Sequence, residues 1–435
     1  MPAAPISVRT LLQATFTVGA TGFGGGAALI PVMERQFVEQ HGLVTERTFT
    51  DHTIVANVTP GAQPVKMSAM VGTHARPAWA SMAAALVVAL PGVLATVVLL
   101  ALFAAIGPTA IRLVEFAALG ISAFIAVLLI HYIAKVLRSH PVGPSVAIML
   151  VTFAAVGGNQ AVRAAGQLLG TGWTSSLPQL TAVQAVLLAL VGVGVLSLVR
   201  RGKAPDAEHE PSPTSARHTL RAAEVLALAT VVAVALSFLV GAGRIVSLIT
   251  FSALTSFGGG AAYIGVADGF FVASGIIPAS EFYGQMVPVA NALPGPVLIK
   301  LATAVGYGHG AAQGGVAMGV VVATLAFVAS VGSCSALALA FLAAYDKASQ
   351  SAFVRNLGGV VLPVICGLLL MTMTSMLNAS MDIATEAHVS ASGVGWASVA
   401  AVVVLWLVRE RWKPADLALI GAAGATSLLA MLALA

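Results

Sequence analysis

Apolar windows of about 20 residues recur from one end of the chain to the other, separated by short polar or glycine- and proline-rich clusters. Each window is long enough to cross a bilayer as a helix. Alternation of apolar and polar positions at strand spacing is absent, so helices rather than a barrel must satisfy the backbone in lipid. The pattern predicts a first helix over 7–22 that stops at Phe23-Gly24-Gly25-Gly26. An amphipathic piece over 27–40 follows, carrying Glu34, Arg35 and Glu39, then two short helical pieces over 48–58 and 62–73 separated by Thr59-Pro60-Gly61. Pro60 lacks an amide donor and biases Thr59 away from helical angles. Long apolar helices are expected over 78–106, 111–137, 144–165 and 179–199, which completes an N-terminal membrane repeat over 1–199.

From 200 to 221 the composition turns to Arg, Lys, Pro, Ser, Glu and His, and is read as a polar linker. An unpaired linking helix occupies 222–242, and a C-terminal membrane repeat occupies 243–435. Its helices are expected over 244–267, broken at Gly258-Gly259-Gly260, and over 283–306, broken at Pro294-Gly295. Further helices follow over 310–344, 353–377, 395–408 and 415–434.

The two halves repeat one another. Adding 234 to the numbers of Thr21, Phe23, Gly24, Gly25, Gly26, Ala27 and Ala28 lands on Thr255, Phe257, Gly258, Gly259, Gly260, Ala261 and Ala262. The same shift takes Val55-Ala56-Asn57, Pro60-Gly61, Lys66 and Val71-Gly72 onto Val289-Ala290-Asn291, Pro294-Gly295, Lys300 and Val305-Gly306, with no gap. Duplicated halves with glycine- and proline-interrupted apolar segments at matching places point to the binding site of a secondary transporter.

Composition sharpens the class. Of 435 residues 58% are hydrophobic and 9% charged, where a soluble protein carries about a quarter as charges. The reading is an all-α polytopic membrane protein. The net charge of +5 is no nucleic-acid signal, because the basic residues sit at segment ends. Cys334 and Cys366 fall inside apolar runs and read as small buried side chains rather than a disulfide or metal site. Arg9 precedes a long apolar run without a small-x-small cleavage site, so a retained first helix is expected. No zinc-type His-Glu-x-x-His, Walker loop or nucleophile elbow occurs, so neither an enzyme nor a cofactor is expected. Energy must then come from an ion gradient or the membrane potential.

Positive charges give the orientation. If each Pro-Gly-interrupted segment crosses once, the chain makes about 13 crossings, and 14 Lys and Arg residues fall on the side of Arg9 and the linker against five on the other. Re-entrant segments would split them about ten against nine. Cytoplasmic loops are the ones enriched in Lys and Arg, so the N-terminus and the linker are expected in the cytoplasm. The second copy begins after seven crossings, an odd number, which makes the repeats inverted.

A helix break in a membrane leaves amides and carbonyls without partners and is tolerated only around a polar cavity. Glycines let the backbone approach a ligand closely, and the helix that restarts after a break presents free amides and a positive dipole end to an anion. The expected binding residues are Gly24, Gly25, Gly26, Asn57, Pro60, Gly61, Gln63 and Lys66, with Gly258, Gly259, Gly260, Asn291, Pro294, Gly295 and Lys300 in the second copy. Lys66 and Lys300 lie deep within apolar segments, where a charge costs about 2.5 to 3.5 kcal/mol. The alternatives are that the small residues serve close helix packing and that the lysines snorkel. The aligned acids Glu34 and Asp268 are either proton-coupling sites or solvated helix-end charges. His131 reads as a satisfied interhelical bond rather than a relay.

These residues resemble the chromate ion transporter family in its long, two-domain form. The resemblance rests on FGGGAALIPVMERQFVE from Phe23 to Glu39, the Pro-Gly break and the Val-Gly that follows, repeated from Phe257 with Asn291-Ala-Leu-Pro-Gly-Pro296. The first copy departs from the pattern, reading Thr59-Pro60-Gly61-Ala62 where the second has Leu-Pro-Gly-Pro. The resemblance implies export of chromate across a bacterial-type inner membrane, with sulfate as a close analogue. The expected partners are the oxyanion and the bilayer, not nucleic acid, and a homodimer is left open. A carrier of another oxyanion or organic anion is the nearest alternative. An intramembrane enzyme or a scaffold stands further off, because the sequence lacks paired carboxylates or histidine clusters.

Overall fold

A computed structural model of the chain describes residues 6–22, 29–106, 108–176, 178–180, 182–199, 215–257, 260–344, 352–412 and 416–434. Gly24, Gly25, Gly26, Gly258, Gly259 and residues 200–214 of the linker lie outside the described residues. Every regular element among those described is helical. Among the described residues, seven helices are long and apolar enough to cross a membrane, and three shorter apolar ones accompany them.

The first copy opens with α1 (Val8–Thr21), then α2 (Ile30–Glu34), which widens into a π turn at Arg35–Gln40. The short helices flanking the first Pro-Gly break are α3 (Glu46–Val58) and α4 (Gln63–Gly72). Thr45 caps α3, accepting the Thr48 amide at 3.2 Å, and Glu46 complements the positive end of its dipole. Pro64 stands in the first turn of α4, where its missing amide is harmless. The long helices α5 (Trp79–Ile106), α6 (Pro108–Ser139), α7 (Val142–Leu169) and α8 (Ala182–Val199) follow. α7 ends at Gly170, left-handed at φ 67°, which satisfies its last carbonyls.

Helix α9 runs over Ala216–Leu239, so the last six residues of the expected polar linker are helical. The reason is packing. Thr219, Ala222 and Ala223 are buried, and the His218 ring meets the Ala75 carbonyl at 3.1 Å, which anchors the first turn. The second copy continues with α10 (Gly243–Leu254) and α11 (Gly260–Ala267), which widens into a π turn at Asp268–Val272. Both copies therefore carry a π turn past the glycine run, with starts that correspond to within one residue. Then come α12 (Ala279–Glu281), a third π turn (Phe282–Met286), α13 (Val287–Ala292) and α14 (Val297–Ala343). The interruption expected between 306 and 310 is absent, because Gly306 and Gly310 stay helical and serve close packing within α14, against Ala326 and Val322. α14 turns instead at Gly314-Gly315, where Gly315 has φ 68°. α15 (Ala352–Glu386), α16 (Ala391–Trp412) and α17 (Asp416–Leu434) complete the chain.

The chain forms two compact units, each drawing on both sequence halves. One comprises 1–97, 188–263 and 293–362; the other comprises 98–187, 264–292 and 363–435. In the first unit α14 packs along α9 and α10. In the second, α6 packs on α16 and α17, and a core of Phe116, Leu119, Ile383, Ala384, Val394 and Met431 fills the space between elements. The α6–α17 contact depends on small residues, as membrane helix interfaces do. A Cβ on Gly120 would lie 2.0 Å from the Ala423 carbonyl oxygen, and Ser427 Oγ accepts the Gly120 amide at 3.0 Å. Gly120→Val should therefore force these helices apart and cost about 1–3 kcal/mol. Thermal unfolding of the detergent-solubilised variant measures this, and an unchanged midpoint would contradict the contact.

Candidate functional site

At the first break α3 ends on Thr59, which is extended, and the chain reverses at Gly61 with φ 102° before α4 begins. At the second, Gly295 has φ 93° and α14 starts at Val297. Positive φ at these two positions explains why each break carries glycine after its proline.

The two breaks are tied to the other copy's glycine-run break, not to their own. The Gly61 amide donates to the Ser256 carbonyl at 2.6 Å, and the Gly295 amide donates to the Gly22 carbonyl at 2.7 Å. Ser256 is the counterpart of Gly22 and Gly295 of Gly61, so one contact is made twice with the copies exchanged. Such reciprocity is the mark of a two-fold relation. It also answers a need, since a backbone amide buried away from water must find a partner.

Lys66 and Lys300 each occupy the fourth position of the helix that restarts after a break, and both are fully buried. They do not snorkel. The Lys66 ammonium donates to the carbonyls of Ala56 and Thr59 at 2.6 and 2.5 Å. The Lys300 ammonium donates to the carbonyl of Leu293, the counterpart of Thr59. Each lysine thus reaches back over the break and neutralises the negative end of the helix segment before it. An ammonium has three donors, so one remains on Lys66 and two on Lys300 beyond these bonds.

Around the first break Gln63 donates to the Asn57 side-chain oxygen. Asn291 instead donates to its own helix, to Val287 O at 2.8 Å. The glycine runs themselves lie outside the described residues except Gly260, which begins α11. Two neighbours were not legible as site residues. Cys334 packs on Gly61, where a Cβ would lie 2.4 Å from its Sγ, and Gly92 packs on the second break, where a Cβ would lie 2.2 Å from Pro294 O. Proximity to a buried lysine was the missing signal, and only tertiary structure supplies it. Both cysteines are free and buried.

The aligned acids part company. Glu34 is half-buried on α2, whereas Asp268 is 1% exposed at the start of its π turn and lines a cavity within the second unit. His131 meets Glu410 at 3.2 Å across α6 and α16, the interhelical bond expected of it.

The sequence profile of chromate transporters matches residues 9–173 and 243–428. The chain belongs to the chromate transporter family. The two matched regions fit its long, two-domain form. Among curated proteins, an uncharacterized transporter of Bacillus subtilis (strain 168), YwrB, is 26% identical over 191 residues, covering 44% of this chain and 79% of its own length. A second from the same organism, the uncharacterized transporter YwrA, is 34% identical over 91 residues, covering 21% of this chain and about half of its own length (51%). No solved structure gives a significant match. With its apolar helices, this chromate transporter family member is a multi-pass membrane transport protein.

Alanine at Gly61 must adopt an unfavourable φ and also meet Cys334, while at Gly295 its nearest neighbour is Gly19 O at 3.4 Å. Backbone strain costs each variant about 1–3 kcal/mol. Gly61→Ala should lose roughly 1–3 kcal/mol more through overpacking. Thermal unfolding midpoints of the two variants compare them, and equal losses would contradict the Cys334 contact.

Proposed function

We propose that this protein exports chromate from the cytoplasm across a bacterial-type inner membrane, binding the anion where the helix breaks of the two copies cross. The carrying observation is the exchanged pair of bonds, Gly61 to Ser256 and Gly295 to Gly22, beside two fully buried lysines. An oxyanion with two negative charges sheds water on entering such a place, and helix ends supply only about half a charge each. Lys66 and Lys300 supply the rest through the donors left over from their carbonyl bonds. Gln63 and Asn57 are the proposed side-chain contacts near the first break. Sulfate, a close analogue, competes.

The repeats are inverted, with about 13 crossings when each broken pair counts once and α14 is divided at its glycine turn. A two-fold relation between copies, together with the charge asymmetry of the loops, supports an axis in the membrane plane. The N-terminus and residues 200–221 then face the cytoplasm.

Lys66→Met and Lys300→Met should each insert into the membrane yet weaken chromate binding roughly ten- to hundredfold, the loss of a charged hydrogen bond. Arginine at either position should recover part of the binding but slow transport, because the planar guanidinium is larger and holds oxyanions bidentately. Chromate and sulfate titrations of the purified variants at several ionic strengths measure this. Unchanged affinity in both methionine variants would leave the lysines as caps of helix ends and nothing more. For topology, cysteines introduced at Ser212 and Ala435 should label from opposite faces of intact cells. Labelling from one face would remove the inverted arrangement.

A further inference from the structure

Within the second compact unit, the π turn that begins at Asp268, the π turn that carries Tyr283, and helices α7 and α15 enclose a polar cavity of about 220 Å³. A water takes about 30 Å³ of the liquid, so the space admits several. Asp268 is 1% exposed, and its Oδ2 completes no hydrogen bond. The Tyr283 hydroxyl is likewise buried, beside the carboxylate and Ser375 and near enough to interact with both, yet it makes no hydrogen bond of full geometry to either. Asn378 is 3% exposed. Its amide nitrogen is committed to Gln160, to the backbone oxygen at 3.1 Å and the side-chain oxygen at 2.9 Å, while its own Oδ1 has no donor. Three buried polar groups on different elements thus line one cavity with unused bonding capacity, and two of them are oxygens that can only accept when Asp268 is ionised.

The charge of the lining has one sign left over. Arg163 is held by Asp382, Nη2 to Oδ1 at 2.7 Å, and Gln167 adds a bond to the same oxygen at 3.3 Å. The titratable and charged groups facing Asp268 are therefore Tyr283, Arg163 and Asp382, and the cation among them is matched by Asp382. One negative charge, that of Asp268, stays uncompensated. A dianion is repelled from such a place and a small cation is drawn in.

We propose that this cavity is the cation-coupling site of the transporter, in which the Asp268 carboxylate takes up one monovalent cation, a proton or a sodium ion, in each cycle. If the cation is a proton, it arrives from the bathing solution as hydronium relayed through water in the cavity, is left on Oδ2, and neutral water remains behind. The neutral acid then gains the donor that an acceptor such as Asn378 Oδ1 lacks. If it is sodium, Asp268, Asn378 and the Tyr283 hydroxyl present the hard oxygens that such an ion requires. The coupling role rests on the transport function proposed above; cation binding at Asp268 does not.

The test uses the full-length protein, purified and in proteoliposomes. Infrared difference spectra between acid and alkaline pH report a buried carboxylic acid, and binding of radioactive sodium reports the ion. The parent should show one of the two signals, and Asp268→Asn should abolish it. Asp268→Glu, which keeps the carboxyl, should retain it and serves if the asparagine variant folds poorly. Chromate uptake driven by an imposed proton or sodium gradient should fall about 5- to 150-fold in Asp268→Asn, the span of typical coupling energies. Counterflow driven by chromate alone should fall far less. Absence of both signals in the parent, or gradient-driven uptake retained in Asp268→Asn, would overturn the proposal. If the anion reading alone is wrong, chromate fails to bind the parent while the cation signal at Asp268 persists.

Discussion

A polypeptide that interrupts its helices within apolar surroundings must find partners for every amide and carbonyl the interruption frees, and here the partners are supplied by the other copy of the repeat. The Gly61 and Gly295 amides each bond a carbonyl at the opposite glycine-run break. The carbonyls preceding each Pro-Gly step are met by a lysine from the helix that follows it. The arrangement therefore requires both copies. Either break alone would leave a buried donor unsatisfied, at about 1–3 kcal/mol. The glycines at 61 and 295 follow from the reversal itself, and the close packing of Cys334 and Gly92 follows from bringing two backbones together.

The lysines also look different once their partners are known. Deep in apolar segments they read as costly cations at an expected anion site, or as snorkelling side chains. Their ammonium groups in fact lie against the carbonyl ends of α3 and of the chain before Gly295, so part of the charge is met internally. This explains how two such residues persist at full burial with no carboxylate paired to them among the described residues. In the binding mode proposed above, an anion would meet only the ammonium donors that these carbonyls leave over.

The positions of the breaks, the lysines and most helices were legible because each has a local cause: a proline without an amide, a run of glycines, a charge within an apolar window. What escaped had a distant cause. No local pattern tells that Gly61 pairs with Ser256. Thr219 and Ala222 sit at the edge of a polar stretch, and only burial against a neighbour makes residues 216–221 helical. Between Val305-Gly306 and Gly310 the glycines suggested an end to the helix, yet the backbone turns at Gly314-Gly315.

Glu34 and Asp268 show how duplication permits divergence. They occupy equivalent positions at the mouth of equivalent π turns, and the sequence treats them alike. Their environments are set by what packs beside them, and for Asp268 that is the polar face of α7 and α15, with Gln160, Arg163, Ser375 and Asn378. The same divergence is visible at the breaks, where Lys66 holds two carbonyls beside Cys334 and Lys300 holds one beside Gly92. The backbone crossing needs both copies to be alike, because each supplies the other's partner. Nothing demands that likeness of side chains outside the crossing, so a buried acid can be retained in one copy alone. The exchanged bonds thus tie the two breaks in the same way, while the acid at the matched position is fully buried in one copy and half-buried in the other.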